Sequence, residues 1–171
     1  VFVDSSGYVH VADVQNNRIQ KFTSDGQFVD QWGGWGELDY PYDIAIDSED
    51  YFYIVDGSFI KKFDGNHQLV KQWGGVGCLD PRGIAIDSDS FLYVADGFNH
   101  QIQKFNQDGQ FIAKWGSYGS GDGQFYTPLD IAIDSNNLVY VVDGANDRIQ
   151  KFTGSGQFIT FARTRRGSRL A

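Results

Sequence analysis

Hydrophobic residues along the chain fall into short runs that are rich in β-branched and aromatic side chains. Representative runs occupy positions 8–12, 53–55, 92–95 and 139–142. Clusters of Gly, Asp, Asn and Ser separate these runs, as at 4–7, 24–26, 107–109 and 154–156. Such residues favour tight turns, whereas no window of helical length carries an apolar period of 3.6 residues. The pattern predicts an all-β chain of short strands joined by turns.

The same pattern recurs four times. Each copy opens with a segment ending in aspartate, at Asp4, Asp47, Asp87 and Asp134. A second aspartate follows nine residues later, at Asp13, Asp56, Asp96 and Asp143. A Lys-Phe pair comes next, and ten residues after its Phe stand Trp32, Trp73 and Trp115, with Ala162 in the fourth copy. Constant spacing inside a copy indicates one sheet per copy, because a slip in strand register would move core side chains to solvent.

A four-stranded unit of about 40–47 residues is typical of one blade of a β-propeller. The sequence therefore predicts an all-β propeller with four antiparallel blades in this chain. The predicted blades span about 1–40, 41–80, 81–127 and 128–162, and a basic C-terminal tail follows at 163–171. Blade two has a shortened middle connection, since Asp56 and Phe63 are seven residues apart where the other copies have nine.

Three segments within the copies resemble the NHL repeat. They are 16–22, 97–105 and 146–152, and the stretch 114–125 is similar to the family's inter-blade segment. This resemblance implies an NHL-type propeller, and such propellers usually have six blades. The chain would then be part of a longer propeller, close as four blades, or complete its ring with another chain. Open blade edges would favour self-association.

Composition and charge narrow the function classes. The chain has 171 residues, a net charge of −8, a hydrophobic share of 41%, one Cys and no Met. The hydrophobic share argues against disorder, no apolar run is long enough for a membrane span, and one Cys forms neither an intrachain disulfide nor a thiolate zinc cluster. The compartment stays open, although a secreted or cell-surface protein fits this composition.

Basic residues are concentrated at the end of the chain, at Arg163, Arg165, Arg166 and Arg169. Without these four, the remaining body has 10 basic and 22 acidic residues, a net charge of −12. Nucleic-acid binding needs a basic surface, so nucleic acid is an unfavoured partner. The tail itself is expected to be a solvated terminus, with binding to an acidic partner as the alternative.

No catalytic or metal-binding constellation is evident. Aspartates that recur in every copy at a strand end are expected to accept local backbone N–H groups. His10, His67 and His100 stand at unrelated positions of the repeat, so no metal site and no cofactor is predicted. Cys78 lies in a glycine-rich loop without a nearby His, and we interpret it as an unreactive thiol.

Large aromatic residues divide into two groups. Trp32, Trp73 and Trp115 recur and are predicted to pack between blades. Other side chains lie in loops that we expect on one face of the propeller, where they form the predicted partner-binding residues: Arg18, Trp35, Phe59, Phe98, His100, Tyr118 and Arg148. Large side chains in loops are often contact residues.

Three functions remain open at this point. The sequence favours a non-enzymatic binding scaffold for a protein or other macromolecule. A propeller hydrolase or lyase with a metal in its channel, of lactonase or amidating-lyase type, is the alternative that the fold suggests. RNA binding, which occurs in some NHL domains, is the third.

Overall fold

A computed structural model describes residues 1–75 and 80–163, which form four four-stranded antiparallel sheets. Sheet one contains β1 (Phe2–Val3), β2 (Val9–Asp13), β3 (Arg18–Phe22) and β4 (Phe28–Gly33). Sheet two contains β5 (Pro41–Ile46), β6 (Phe52–Asp56), β7 (Phe59–Phe63) and β8 (Leu69–Gly74). Sheet three contains β9 (Pro81–Ile86), β10 (Leu92–Asp96), β11 (Gln101–Phe105) and β12 (Phe111–Trp115). Sheet four contains β13 (Pro128–Ile133), β14 (Val139–Asp143), β15 (Arg148–Phe152) and β16 (Phe158–Arg163).

Each sheet is a meander whose strand order follows the chain. This confirms the predicted all-β propeller architecture with one sheet, or blade, per sequence copy. The third strand of every blade has a register shift at its Lys-Phe pair, so even this irregularity repeats. The short connection predicted in blade two is a two-residue turn at 57–58, whereas blades one and four have 3-10 turns at Val14–Asn16 and Gly144–Asn146.

The hydrophobic core is divided among the interfaces between neighbouring blades. Blades one and two share a cluster that includes Ile19, Ile54 and Phe63. A second cluster joins blades two and three, and a third joins blades three and four. In the two middle blades the second strand is buried at every position, while in β14 of blade four burial alternates. Continuous burial is expected where both faces of a sheet are covered.

The recurring tryptophans pack between blades, as predicted. The ring of Trp32 lies 5.1 Å from that of Phe63 in blade two. Trp73 is 6.2 Å from Phe105 in blade three, and Trp115 is 6.1 Å from Phe152 in blade four. Blades one to three thus each place an outer-strand tryptophan on the core of the next blade.

Arg163 ends the last strand, and the remaining predicted tail residues Arg165, Arg166 and Arg169 lie outside the described residues, as does Cys78. Within the parts of the chain that the structure describes, no helix has the length and apolar character needed to cross a membrane.

Candidate functional site

Two sets of connections form opposite ends of the blades. We call one end the loop face. It contains the turn between the second and third strands of each blade and the connections between blades. These segments are 14–17, 34–40, 57–58, 75, 80, 97–100, 116–127 and 144–147. The other end, the turn face, contains the remaining tight turns, at 4–8, 23–27, 47–51, 64–68, 87–91, 106–110, 134–138 and 153–157. Alternate connections of an antiparallel meander share one end of the sheet. All seven predicted binding residues lie on the loop face or at the strand ends beside it.

The second recurring aspartate of each copy anchors the loop face. Asp56 accepts the backbone N–H groups of Asp39 and Tyr40, at 2.9 and 2.6 Å. Asp96 and Asp143 accept the N–H groups of Asp80 and Tyr126 in the same way, at 2.9 and 2.8 Å. These carboxylates also bind side chains on their own blade, which the sequence did not predict. Asp56, Asp96 and Asp143 therefore each hold the connection that enters their own blade from the preceding one.

The first recurring aspartate of each copy closes a tight turn on the turn face, as predicted. Asp47 accepts the N–H groups of Glu49 and Tyr51, both at 2.9 Å. Its second oxygen accepts the hydroxyl of Tyr53 at 3.0 Å, and burial together with this carboxylate raises the pKa of Tyr53 far above its usual value. In these turns the aspartates act as structural hydrogen-bond acceptors.

Arg18 and Arg148 are held within the chain. The Arg148 side chain is buried; its Nε donates to Asp143 at 2.7 Å, and its terminal nitrogens donate to the carbonyls of Ser120, Gly121 and Gln124. Arg18 is half-buried and donates to Asp13 at 2.8 Å and to Gln31 at 2.6 Å. Their guanidinium groups stabilise the loops, so we do not include Arg18 or Arg148 among the residues that contact a partner.

Three of the predicted aromatic residues are strongly exposed. Trp35 and Phe98 are each 78% exposed, and Tyr118 is 65% exposed. Phe59 is half-buried beside Gly75, so it forms part of the wall of the loop face rather than a projecting side chain. Trp35, Phe98 and Tyr118 all lie in connections of the loop face, where their rings are accessible to a partner.

His100 organises an aromatic group between blades three and four. Its Nδ1 accepts the backbone N–H of Thr127 at 3.1 Å. The His100 ring lies 5.1 Å from Tyr118 and 5.9 Å from Tyr126, and the two tyrosine rings are 5.2 Å apart. This group fixes one exposed aromatic edge of the loop face.

The other two histidines are brought together by the fold, although the sequence placed them at unrelated repeat positions. His10 and His67 both line a cavity of about 280 Å³ between blades one and two on the turn face. The expectation of scattered histidines is therefore wrong for this pair. A usable signal was present: each stands where the other copies agree on a different residue, Tyr for His10 and Gly for His67.

A second cavity, of about 330 Å³, lies between the innermost strands of the blades. Asp43 and Asp130 contribute carboxylates to its wall, and the remaining wall is largely aliphatic. Burial raises the pKa of Asp43. The backbone N–H of Ile84, which donates to this carboxylate at 2.9 Å, lowers the pKa by a smaller amount. Across residues 1–75 and 80–163, no group of three or more His, Cys, Asp or Glu side chains is arranged to hold a metal ion.

Comparisons with known proteins support the architecture. A family model described as a 6-bladed beta-propeller matches residues 84–164. Virginiamycin B lyase from Staphylococcus aureus superimposes with a TM-score of 0.74 at 16% identity, covering 97% of this chain and 55% of that structure. No curated protein sequence matches the chain.

Two further solved structures share the fold. A gluconolactonase from Xanthomonas campestris gives a TM-score of 0.74 at 16% identity, covering 95% of this chain and 61% of that structure. The WD40 repeats of RRP9 give 0.68 at 14% identity, covering 88% of this chain and 46% of that structure. This chain thus spans about half the length of such propellers, and at these identities the likeness concerns the fold alone.

Proposed function

We propose that the chain is a non-enzymatic binding scaffold of NHL type, whose loop face engages a protein partner. The observation that carries this proposal is the exposure of Trp35, Phe98 and Tyr118 on one face. Aromatic side chains dominate the binding energy of protein interfaces when a partner buries them.

The loop face is also well ordered by its own contacts. The buried Asp143–Arg148 pair and the acceptance of backbone N–H groups by Asp56 hold the loops in one arrangement. A surface that is ordered before binding loses less conformational entropy when it binds. Rigid loops with projecting aromatic rings therefore suit recognition of a folded protein or an ordered peptide.

The test is a comparison of partner capture by three forms of the protein. The wild type and a Trp35→Ala/Phe98→Ala/Tyr118→Ala variant would serve as bait in a lysate of the source organism. A rim variant, Phe28→Ala/Phe111→Ala, removes two exposed rings from the outer strands of blades one and three. We expect one set of proteins to be retained by the wild type and the rim variant and lost from the loop-face variant.

Unchanged capture by the loop-face variant would contradict the proposal. Equal losses from both variants would also contradict it, because the effect would then follow from aromatic content alone. Thermal unfolding of each variant checks that the fold is intact, since these side chains are exposed and are expected to contribute little to stability.

A propeller hydrolase or lyase is the second candidate, and the observation that favours it is the central cavity with Asp43 and Asp130 in its wall. Elemental analysis of the purified protein separates the two functions. A stoichiometric metal that is lost in an Asp43→Asn/Asp130→Asn variant would favour the enzyme over the scaffold.

A further inference from the structure

The cavity between blades one and two lies on the turn face, away from the proposed partner surface. Its wall includes His10, Asp30 and Trp32 from blade one, and Asp50, Phe52 and His67 from blade two. Its volume of about 280 Å³ is sufficient for a small organic molecule.

Two of these residues depart from a residue that the other three copies share. His10 stands where the other copies have Tyr53, Tyr93 and Tyr140, and His67 where they have Gly26, Gly109 and Gly156. The two aspartates stand at variable positions: Asp30 corresponds to Lys71, Ala113 and Thr160, and Asp50 corresponds to Gly7, Ser90 and Asn137. All four residues line one cavity, which distinguishes this interface from the other two blade interfaces.

At the other two blade interfaces, which we call the sibling interfaces, lysine ammonium groups donate hydrogen bonds to the next blade. Between blades two and three, Lys71 Nζ donates to the carbonyl of Asp108 at 2.6 Å and Lys62 Nζ to that of Gln107 at 3.3 Å. Between blades three and four, Lys104 Nζ donates to the carbonyl of Gly154 at 3.3 Å. The repeat therefore has a built-in location for a positive charge at each interface.

Between blades one and two the lysine stays on its own blade. Lys21 Nζ lies 3.8 Å from Asp4 and 4.1 Å from the ring centre of Tyr8, both in blade one. Its cross-strand neighbour is Asp30, whereas Lys62 has Lys71 in that register position. The Asp30 carboxylate thus stands at the position where, in blade two, the Lys71 ammonium bridges to blade three.

His10 positions one carboxylate of the cavity wall. The His10 side chain is only 2% exposed, and its Nε2 lies 2.9 Å from the Asp4 carboxylate. A carboxylate only accepts, so Nε2 carries a hydrogen and donates it to Asp4. The Nδ1 of His10 is buried without a hydrogen-bond partner.

The His67 imidazole belongs to the aromatic part of the wall. The His67 ring stacks on Trp32 with centroids 4.3 Å apart and an interplanar angle of 9°. Burial lowers the pKa of His67 below its usual 6.5, which favours the neutral ring. The wall also carries three carboxylates, on Asp4, Asp30 and Asp50, and the ammonium of Lys21.

We propose that this cavity binds a small organic ammonium ion, which occupies the place that a lysine ammonium takes at the sibling interfaces. The carboxylates accept its N–H groups, and the aromatic wall stabilises its charge by cation–π attraction. Lys21 over the Tyr8 ring already shows this contact within the same wall. The site is independent of the loop face, so it can succeed or fail separately from the proposed function.

The test is a titration of the isotopically labelled protein with n-butylammonium chloride, followed by NMR of the Trp32 indole and the His10 and His67 imidazoles. We expect saturable shifts at these three rings with n-butylammonium and none with 1-pentanol, a neutral molecule of similar shape. Sodium acetate serves as the anionic control. Equal shifts with 1-pentanol, or no shift at all, would overturn the proposal.

Matched charge variants identify the site. Asp30→Asn is expected to weaken n-butylammonium binding about tenfold, and Asp30→Lys, which restores the residue of blade two, to abolish it. Asp122→Lys makes the same charge change in the loop 116–127 on the opposite face, where Asp122 is exposed, and should leave the affinity within about twofold. If Asp122→Lys weakens binding as much as Asp30→Lys does, the effect depends only on the net charge of the protein. If CaCl₂ also gives saturable shifts, the site binds an inorganic cation. Either result overturns the proposal.

Discussion

The same aspartate has different environments in different blades. Asp143 is fully buried and accepts from Tyr126, Asn146, Arg148 and Gln150. Asp13 occupies the equivalent position in blade one and binds Arg18 in the same way, but its side chain is 20% exposed. The repeat conserves the hydrogen-bond pattern, while the surrounding loops decide how far solvent reaches it.

Removing these two carboxylates should therefore have unequal effects on stability. Asp143→Ala leaves the buried Arg148 charge unpaired and is expected to lower the free energy of unfolding by about 3–5 kcal/mol. Asp13→Ala exposes Arg18 to water and should cost about 1 kcal/mol or less. Urea unfolding of both variants measures the difference, and equal losses would show that burial does not control the strength of this pair.

The sequence predicted the role of a single residue correctly where that residue recurs in several copies of the repeat. The eight aspartates and three tryptophans could be interpreted as structural because four copies showed the same spacing. It failed for Arg148, whose burial depends on the connection 116–127 covering it, and that connection is longer than its counterparts. It also missed that His10 and His67 line one cavity, because that cavity lies between two blades.

At two of the three blade interfaces, between blades two and three and between blades three and four, a turn glycine packs against a tryptophan. Gly156 has a φ of +84°, and a Cβ added to it would lie 2.6 Å from Cδ2 of Trp115. Gly26 is its counterpart in blade one, with a φ of +85° and nothing within 4 Å of such a Cβ. The two positions have the same backbone conformation and differ only in the neighbouring blade.

Alanine at these two glycines separates backbone strain from packing. Gly26→Ala is expected to cost about 1–2 kcal/mol, because only the left-handed conformation is penalised. Gly156→Ala should cost a further ~1–3 kcal/mol through overpacking against Trp115. Thermal or urea unfolding provides both values, and equal costs would show that the tryptophan adjusts freely.

Strands and turns were the elements that the sequence predicted best, because alternating patterns and Gly-rich turns are local signals. The central cavity could not be predicted in this way. It depends on how closely the inner strands β5, β9 and β13 approach one another, and no single copy of the repeat contains that information.

Within residues 1–75 and 80–163, one apolar face of blade four is exposed. Ile149 is 38% exposed, whereas its counterparts Ile19, Ile60 and Ile102 are fully buried against the following blade. Phe161 on the neighbouring strand is also exposed. A sheet face of this kind gains free energy when another apolar surface covers it.

We expect the protein to self-associate through this face in a concentration-dependent manner. Ile149→Glu should weaken the association, because a carboxylate would have to be buried in the contact. Ile112→Glu is the matched control, since Ile112 is exposed on the outer strand of blade three. Sedimentation velocity measures the mass of each form, and equal effects of the two substitutions would place the contact elsewhere.

The division of the core among three blade interfaces has a consequence for the order in which the molecule is assembled. Within residues 1–75 and 80–163, each core cluster draws side chains from two neighbouring sheets. During synthesis on the ribosome, the first sheet therefore gains its core only when the second is complete, and each later sheet packs on the one made before it. Folding then proceeds as successive nearest-neighbour additions, and the most recently made sheet presents its apolar face to chaperones at every stage.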